Sequence, residues 1–72
     1  MTDPSGNTMI IMAAINNDFE MIYMLLKMGL SPNGQNEDGN TALHFTINGN
    51  FRKCTDILIT FGADESVKNK VG

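Results

Sequence analysis

One histidine, one cysteine and eight carboxylates are the groups of this 72-residue chain that could do chemistry. His44 stands alone, and no nucleophile–base–orienter set can be assembled around it. A zinc or related site needs several His and Cys ligands at short spacing, and neither a second His nor clustered Cys is present. Cys54 lies on an apolar stripe with Phe51, Ile57, Leu58 and Phe61. A reactive thiol needs an electropositive, accessible setting. A buried, inert thiol is therefore expected, with Arg52 and Lys53 leaving modest activation open. The glycines match neither GxxxxGK nor GxGxxG and read as turns and helix caps. The expectation is a non-enzyme with no metal and no cofactor. The groups left over are recognition groups: the acidic pair Glu37-Asp38 with Gln35 and Asn40 in a turn-rich stretch, and Lys68 and Lys70 further on.

The elements that must position these groups come in two copies. Gly6-Asn7-Thr8 recurs as Gly39-Asn40-Thr41, Asn17 as Asn50, Gly29 as Gly62 and Asn36 as Asn69, always thirty-three residues on. A fixed period of that length marks a stacked repeat architecture. Residues 8–16 predict a short helix with Thr8 as N-cap. Ala13 and Ala14 allow close approach of a neighbour, and Asn16-Asn17-Asp18 supplies turn chemistry. Residues 19–28 predict a second helix. Glu20, Tyr23 and Lys27 form its one wet stripe, and Phe19, Met21, Ile22, Met24, Leu25, Leu26 and Met28 cover the rest. That helix is expected to be held between two neighbours. Gly29 ends it, and residues 31–39 read as a protruding hairpin-like loop. Residues 41–47 and 51–61 repeat the helix pair, with Gly62 as the second cap.

The expected core joins Leu43, Ile47, Ile57, Leu58 and Phe61 to Ile10, Ala14, Ile22, Leu25 and Leu26. Ile11, in the apolar run Met9 to Ile15, is expected to need cover from a preceding repeat, a partner or a second copy. The methionines have two readings, core filling or an adaptable binding surface; core filling is expected for all but Met12.

The net charge of −3 argues against nucleic acid or an anionic membrane as partner, because five Lys plus Arg cannot build a basic face. No apolar run approaches the ~20 residues of a membrane span, and the start Met-Thr-Asp-Pro-Ser lacks the pattern of a signal peptide. A lone cysteine fits a reducing compartment. Cytoplasmic or nuclear localisation is expected.

Asp38-Gly39-Asn40-Thr41-Ala42-Leu43-His44 resembles the D-G-x-T-P-L-H opening of an ankyrin repeat, and residues 57–64, Ile-Leu-Ile-Thr-Phe-Gly-Ala-Asp, resemble its L-L-L-x-x-G-A-D ending. The first copy is in register through Thr8 to Ile11, Ala13-Ala14 and Leu25-Leu26-Lys27-Met28-Gly29. The resemblance implies an all-α fold, an ankyrin-repeat solenoid of stacked helix–turn–helix units joined by β-hairpin-like loops. It implies a single unit over 1–72, with repeat one about 6–38 and repeat two about 39–71, forming a segment of a longer array. It gives His44 a structural role, tying the start of its helix to the loop. The second copy departs from the pattern at Thr46-Ile47-Asn48-Gly49-Asn50, one residue short before the glycine, which shifts the expected facing of residues 48–56.

The function implied is protein–protein recognition as a scaffold or adaptor. The expected surface comprises the loop tips Gln35, Glu37, Asp38, Asn40, Lys68 and Lys70, with Asn48, and a floor of Phe45 and Met12. Glu20, Tyr23 and Lys27 fall on the opposite, convex side. The alternative is a structural or regulatory segment of a larger enzyme, kinase or channel. The partner is another protein, with self-association or neighbouring repeats through apolar stacking ends kept open. Asn33 occupies a position that ankyrin proteins can present to an asparaginyl hydroxylase, with Leu25 eight residues before it and Ser31 where an acidic residue is expected.

Overall fold

The computed structural model describes residue 4 and residues 6–67. Among these the chain forms four helices, α1 (Met9–Ile15), α2 (Phe19–Lys27), α3 (Ala42–Asn48) and α4 (Arg52–Thr60), and no strand. The helices are short, seven or nine residues each, well below the ~12–15 residues at which an isolated helix becomes even marginal in water. Caps and packing must therefore hold them.

The caps are specific. Thr8 is extended, and its Oγ1 accepts from the Ile11 N–H at 3.2 Å. Asp18 does the same for the Met21 N–H at 3.1 Å, starting α2. At α3 the Thr41 N–H donates to His44 Nδ1 at 2.7 Å, so the only histidine closes a capping box as expected. Gly29 and Gly62 both have φ of +94°. After Gly62, its own N–H reaches the Ile59 carbonyl at 3.0 Å and the Ala63 N–H reaches the Leu58 carbonyl at 2.9 Å. These are the two bonds of a Schellman closure, and Gly29-Leu30 repeats them on Leu26 and Leu25.

Every helix of the second repeat starts and ends thirty-three residues after its counterpart. The one-residue shift expected at residues 46–50 is absent. Asn50 takes φ 58°, matching Asn17 at φ 54°, because Asn tolerates the left-handed conformation usually left to glycine. The Phe51 N–H then closes on the Thr46 carbonyl at 2.8 Å, as the Asp18 N–H closes on that of Ala13 at 2.9 Å.

Packing builds two layers. α1 lies against α3 in one and α2 against α4 in the other, and each repeat's two helices pack on each other. The core is Ile10, Ile11, Ala13, Ala14, Ile22, Leu25, Leu26, Ala42, Leu43, Cys54 and Leu58, with Phe45, Phe51, Ile57 and Phe61 half-buried around it. Three expectations need correction. Ile11 is fully buried by the chain itself and needs no outside cover. Ile47 is 55% exposed, and Thr46 is buried in its place. The Thr46 hydroxyl tolerates burial because it donates to the Leu43 carbonyl at 3.1 Å. The methionines of α2 are not core: Met21 and Met24 are exposed and Met28 is 71% exposed, so α2 is covered where α1 and α4 meet it and open along its methionines.

The reason lies in the stacking direction. Met9 and Met21 are exposed, whereas their counterparts Ala42 and Cys54 are sealed against repeat one. Ala14 and Leu26 are buried by repeat two, whereas their counterparts Ile47 and Ile59 are exposed. Each repeat thus offers one apolar face forward and one back, as in a quasi-one-dimensional stack.

Candidate partner-binding surface

The second loop is organised by Asn36. Its Oδ1 accepts from the N–H groups of Asp38 at 3.0 Å and Asn40 at 2.9 Å. Its own N–H donates to the Asn40 carbonyl at 2.9 Å, and the Gly39 N–H returns to the Asn36 carbonyl at 3.0 Å. Gly39 has φ +80°. The Gln35 amide adds a bond to the Gly39 carbonyl at 2.8 Å. This is an Asx-stabilised turn, and it fixes the backbone while leaving the side chains of Gln35, Glu37 and Asp38 exposed.

The turn is docked on the preceding repeat. Asn36 Nδ2 donates to the buried Asn7 Oδ1 at 2.8 Å. A Cβ on Gly6 would meet Glu37 Cγ at 2.9 Å and the Glu37 backbone nitrogen at 3.1 Å, so the two loops nest. One repeat on, Asn33 Nδ2 donates to the Gly62 carbonyl at 3.2 Å and the Asp64 N–H donates to Asn33 Oδ1 at 2.7 Å. Both ends of the Asn33 amide therefore clamp the second repeat's closing turn to the first repeat's loop. The Ser66 hydroxyl and N–H, at 2.6 and 2.8 Å, hold the Asp64 carboxyl below its ordinary value.

Of the expected surface residues, Gln35, Glu37 and Asp38 are exposed at the tip and Asn40 is half-buried behind it. Asn48 is exposed at the end of α3. Phe45 is half-buried against the core. Met12, its counterpart on α1, is half-buried and lines a pocket of about 230 Å³ with Met9, Ala13, Asn16, Asp18, Met21 and Leu25. Lys68 and Lys70 lie outside the described residues. Sequence reasoning missed the joining roles of Asn7, Asn33 and Asn36; the only signal was the recurrence of Asn7 as Asn40 and of Asn36 as Asn69.

Among the described residues no group of three His, Cys, Asp or Glu side chains could hold a metal, and no helix is long and apolar enough to cross a membrane. Cys54 is buried, and its thiol donates to Asn17 Oδ1 at 3.4 Å. Burial, and secondarily the Asp18 charge, push this thiol above its ordinary value of 9.0. Its protonated form is thus the one the fold favours. The associated stability is full below the unfolded thiol's pKa and is lost as pH rises from there toward the folded value. Cys54 should label with iodoacetamide at neutral pH at least about tenfold more slowly in the folded chain than in urea; equal rates would show that the thiol is open to solvent.

Comparison with known proteins places this geometry. The family model for ankyrin repeats, built on three copies, matches residues 1–69. An ankyrin repeat protein of Rickettsia felis is 47% identical over 65 residues, covering 76% of this chain and 29% of its own length. The B-cell lymphoma 3 protein homolog of Mus musculus is 34% identical, covering 90% of this chain and 14% of its own. The human transient receptor potential cation channel subfamily A member 1 is 28% identical, covering 93% of this chain and 6% of its own. The chain thus spans less than a third of the length of each of these relatives. Period, capped helix pairs and family match coincide: the chain belongs to the ankyrin repeat family.

Proposed function

We propose that the chain is a protein–protein interaction module that holds its partner by the exposed loop tips and the adjoining first-helix surface. The observation that carries this reading is the contrast at Asn36. The backbone of residues 36–40 is fixed by side-chain and main-chain bonds, while the Glu37 and Asp38 side chains stand exposed. A rigid backbone presenting exposed side chains lowers the ordering cost of binding. The tip is acidic, so a partner with basic groups at the contact fits it best. A reducing, cytoplasmic or nuclear setting goes with this reading through the single thiol. The chain carries no catalytic role in it.

A second reading is favoured by the short coverage of the relatives. The chain is then a structural or regulatory stretch of a larger protein, such as a channel, kinase or other enzyme, and its exposed stacking faces contact neighbouring repeats.

Glu37→Lys with Asp38→Lys tests the first reading. The double variant should keep the helical circular dichroism spectrum and the melting temperature within a few degrees, since exposed substitutions usually cost about 0.5 kcal/mol or less. It should lose binding partners that the parent chain and a Glu20→Lys control both retain in quantitative affinity capture. Identical partner sets for all three chains would remove the tips from the binding surface. A collapse of the fold would show that the tips carry structure.

A further inference from the structure

We propose that Asn33-Gly34 is the deamidation site of the folded chain, and that its conversion releases the clamp between the two repeats. Asparagine is a labile residue, most of all before glycine, where no Cβ shields the next backbone nitrogen. The Gly34 nitrogen gives up its proton to water or hydroxide and attacks Asn33 Cγ. The new N–Cγ bond closes a succinimide, the Cγ–Nδ2 bond breaks, and ammonia leaves. One water then opens either imide carbonyl, giving aspartate or isoaspartate. The sum is asparagine plus water to a carboxylate-bearing residue plus ammonia, with no redox change and no co-reactant beyond solvent.

Such a ring could close before glycine at Asn33-Gly34, Asp38-Gly39 and Asn48-Gly49. The state of the attacking nitrogen separates them. The Gly39 N–H donates to the Asn36 carbonyl at 3.0 Å inside the Asx-stabilised turn, and Gly39 is buried. The Gly49 N–H donates to the Phe45 carbonyl at 2.9 Å at the end of α3, so freeing it means unwinding that helix. The Gly34 N–H makes no hydrogen bond to the described residues. What restrains this step is the carboxamide. Asn33 Oδ1 accepts from the Asp64 N–H at 2.7 Å and Nδ2 donates to the Gly62 carbonyl at 3.2 Å. The amide cannot turn onto the Gly34 nitrogen while that closing turn is docked. Both bonds are exposed, and exposed contacts open locally at far lower free energy than the whole fold. Asn33 therefore reacts from a locally opened state, while Asn48 waits for its helix. The product cannot remake the clamp, because a carboxylate has no N–H to give the Gly62 carbonyl and sets acceptor against acceptor. It also adds a negative charge beside Asp64, and isoaspartate lengthens the backbone as well.

The test ages the full chain at mildly alkaline pH, in buffer and in guanidinium chloride. Tandem mass spectrometry assigns the mass gain of NH2 exchanged for OH to Asn33 or Asn48. In buffer Asn33 should convert at least about tenfold faster than Asn48. In denaturant the two should convert at comparable rates, with Asn33 at least about tenfold faster than in buffer. Gly34→Ala should slow Asn33 severalfold in denaturant and leave Asn48 unchanged. That variant is read unfolded because a Cβ at Gly34 would meet Thr8 Cγ2 at 3.2 Å in the fold. The aged chain, separated by ion exchange on its added charge, should melt about 4–8 °C below the parent. Asn33→Asp should move melting in the same direction, loss of the fold included. Three results would overturn the site: Asn48 keeping pace with Asn33 in buffer, Asn33 staying intact in buffer while it converts in denaturant, or Asn33 converting equally fast in both. An aged chain that melts with the parent would overturn the release of the clamp.

Discussion

Leu58→Ala will destabilise the chain by about 2–5 kcal/mol, the range for truncating a buried leucine. Leu58 has 0% of its surface exposed and sits in the core cluster with Ile22, Leu25 and Leu43. It lies on α4, which packs both on α3 of its own repeat and on α2 of the other. A cavity there loosens the interface inside the repeat and the interface between repeats together. Its carbonyl also accepts from the Phe61 and Ala63 N–H groups, but truncation leaves those main-chain bonds in place. The expected loss is therefore packing alone. A chain of this size has a small margin, of order 5 kcal/mol, so the variant should be largely unfolded at temperatures where the parent is folded. Urea titration followed by circular dichroism measures it, as a fall in midpoint at unchanged slope. A loss below about half a kcal/mol would move Leu58 out of the core.

Residue types that act locally were legible in the sequence. Thr8 reads as a cap because a hydroxyl before an apolar run can satisfy a first-turn N–H, and it does so for Ile11. Gly62 reads as a stop because the helix has to turn into a left-handed residue there. Asn50 misled for a related reason. The repeat pattern sets a glycine at its place, and matching Gly49 to it by identity makes the stretch one residue short. The backbone asks only for positive φ, and Asn supplies it at 58°. Ile47 is a separate case: its counterpart Ala14 is covered by repeat two, and no described residue covers Ile47 in the same way, so it stands exposed.

The methionine face was illegible for a different reason. Periodicity shows that a helix is apolar on several sides, but not whether a neighbour stands on each of them. Met21 and Cys54 hold the same repeat position, and only the stacking order makes one exposed and the other sealed. The loop surface was legible as to where exposed side chains gather, since turn formers cluster there. What holds it was not. The Asn36–Asn7 and Asn33–Gly62 bonds each join residues twenty-nine apart, and no local pattern announces such a pairing.

Gly62→Val will lower stability by about 1–3 kcal/mol through the backbone alone. Gly62 has φ +94°, a conformation that a β-branched residue resists strongly. Nothing lies within 4 Å of the Cβ it would gain, so no clash contributes. Both Schellman bonds on Ile59 and Leu58 depend on this φ, and the Gly62 carbonyl takes the Asn33 amide, so a backbone that relaxes would release three bonds at once. Gly62→Asn is the discriminating control. It adds a side chain of similar bulk to valine, yet Asn enters the left-handed region readily, as Asn17 and Asn50 do in this chain. Asn should recover most of the loss. Thermal unfolding reads the difference, at roughly 4–8 °C per kcal/mol for a domain of this size. Equal losses for Val and Asn would locate the cost in crowding, and no loss for Val would mean that residue 62 is not held left-handed. A loss for Val that Asn recovers ties the end of α4, and the Asn33 clamp on it, to one backbone angle.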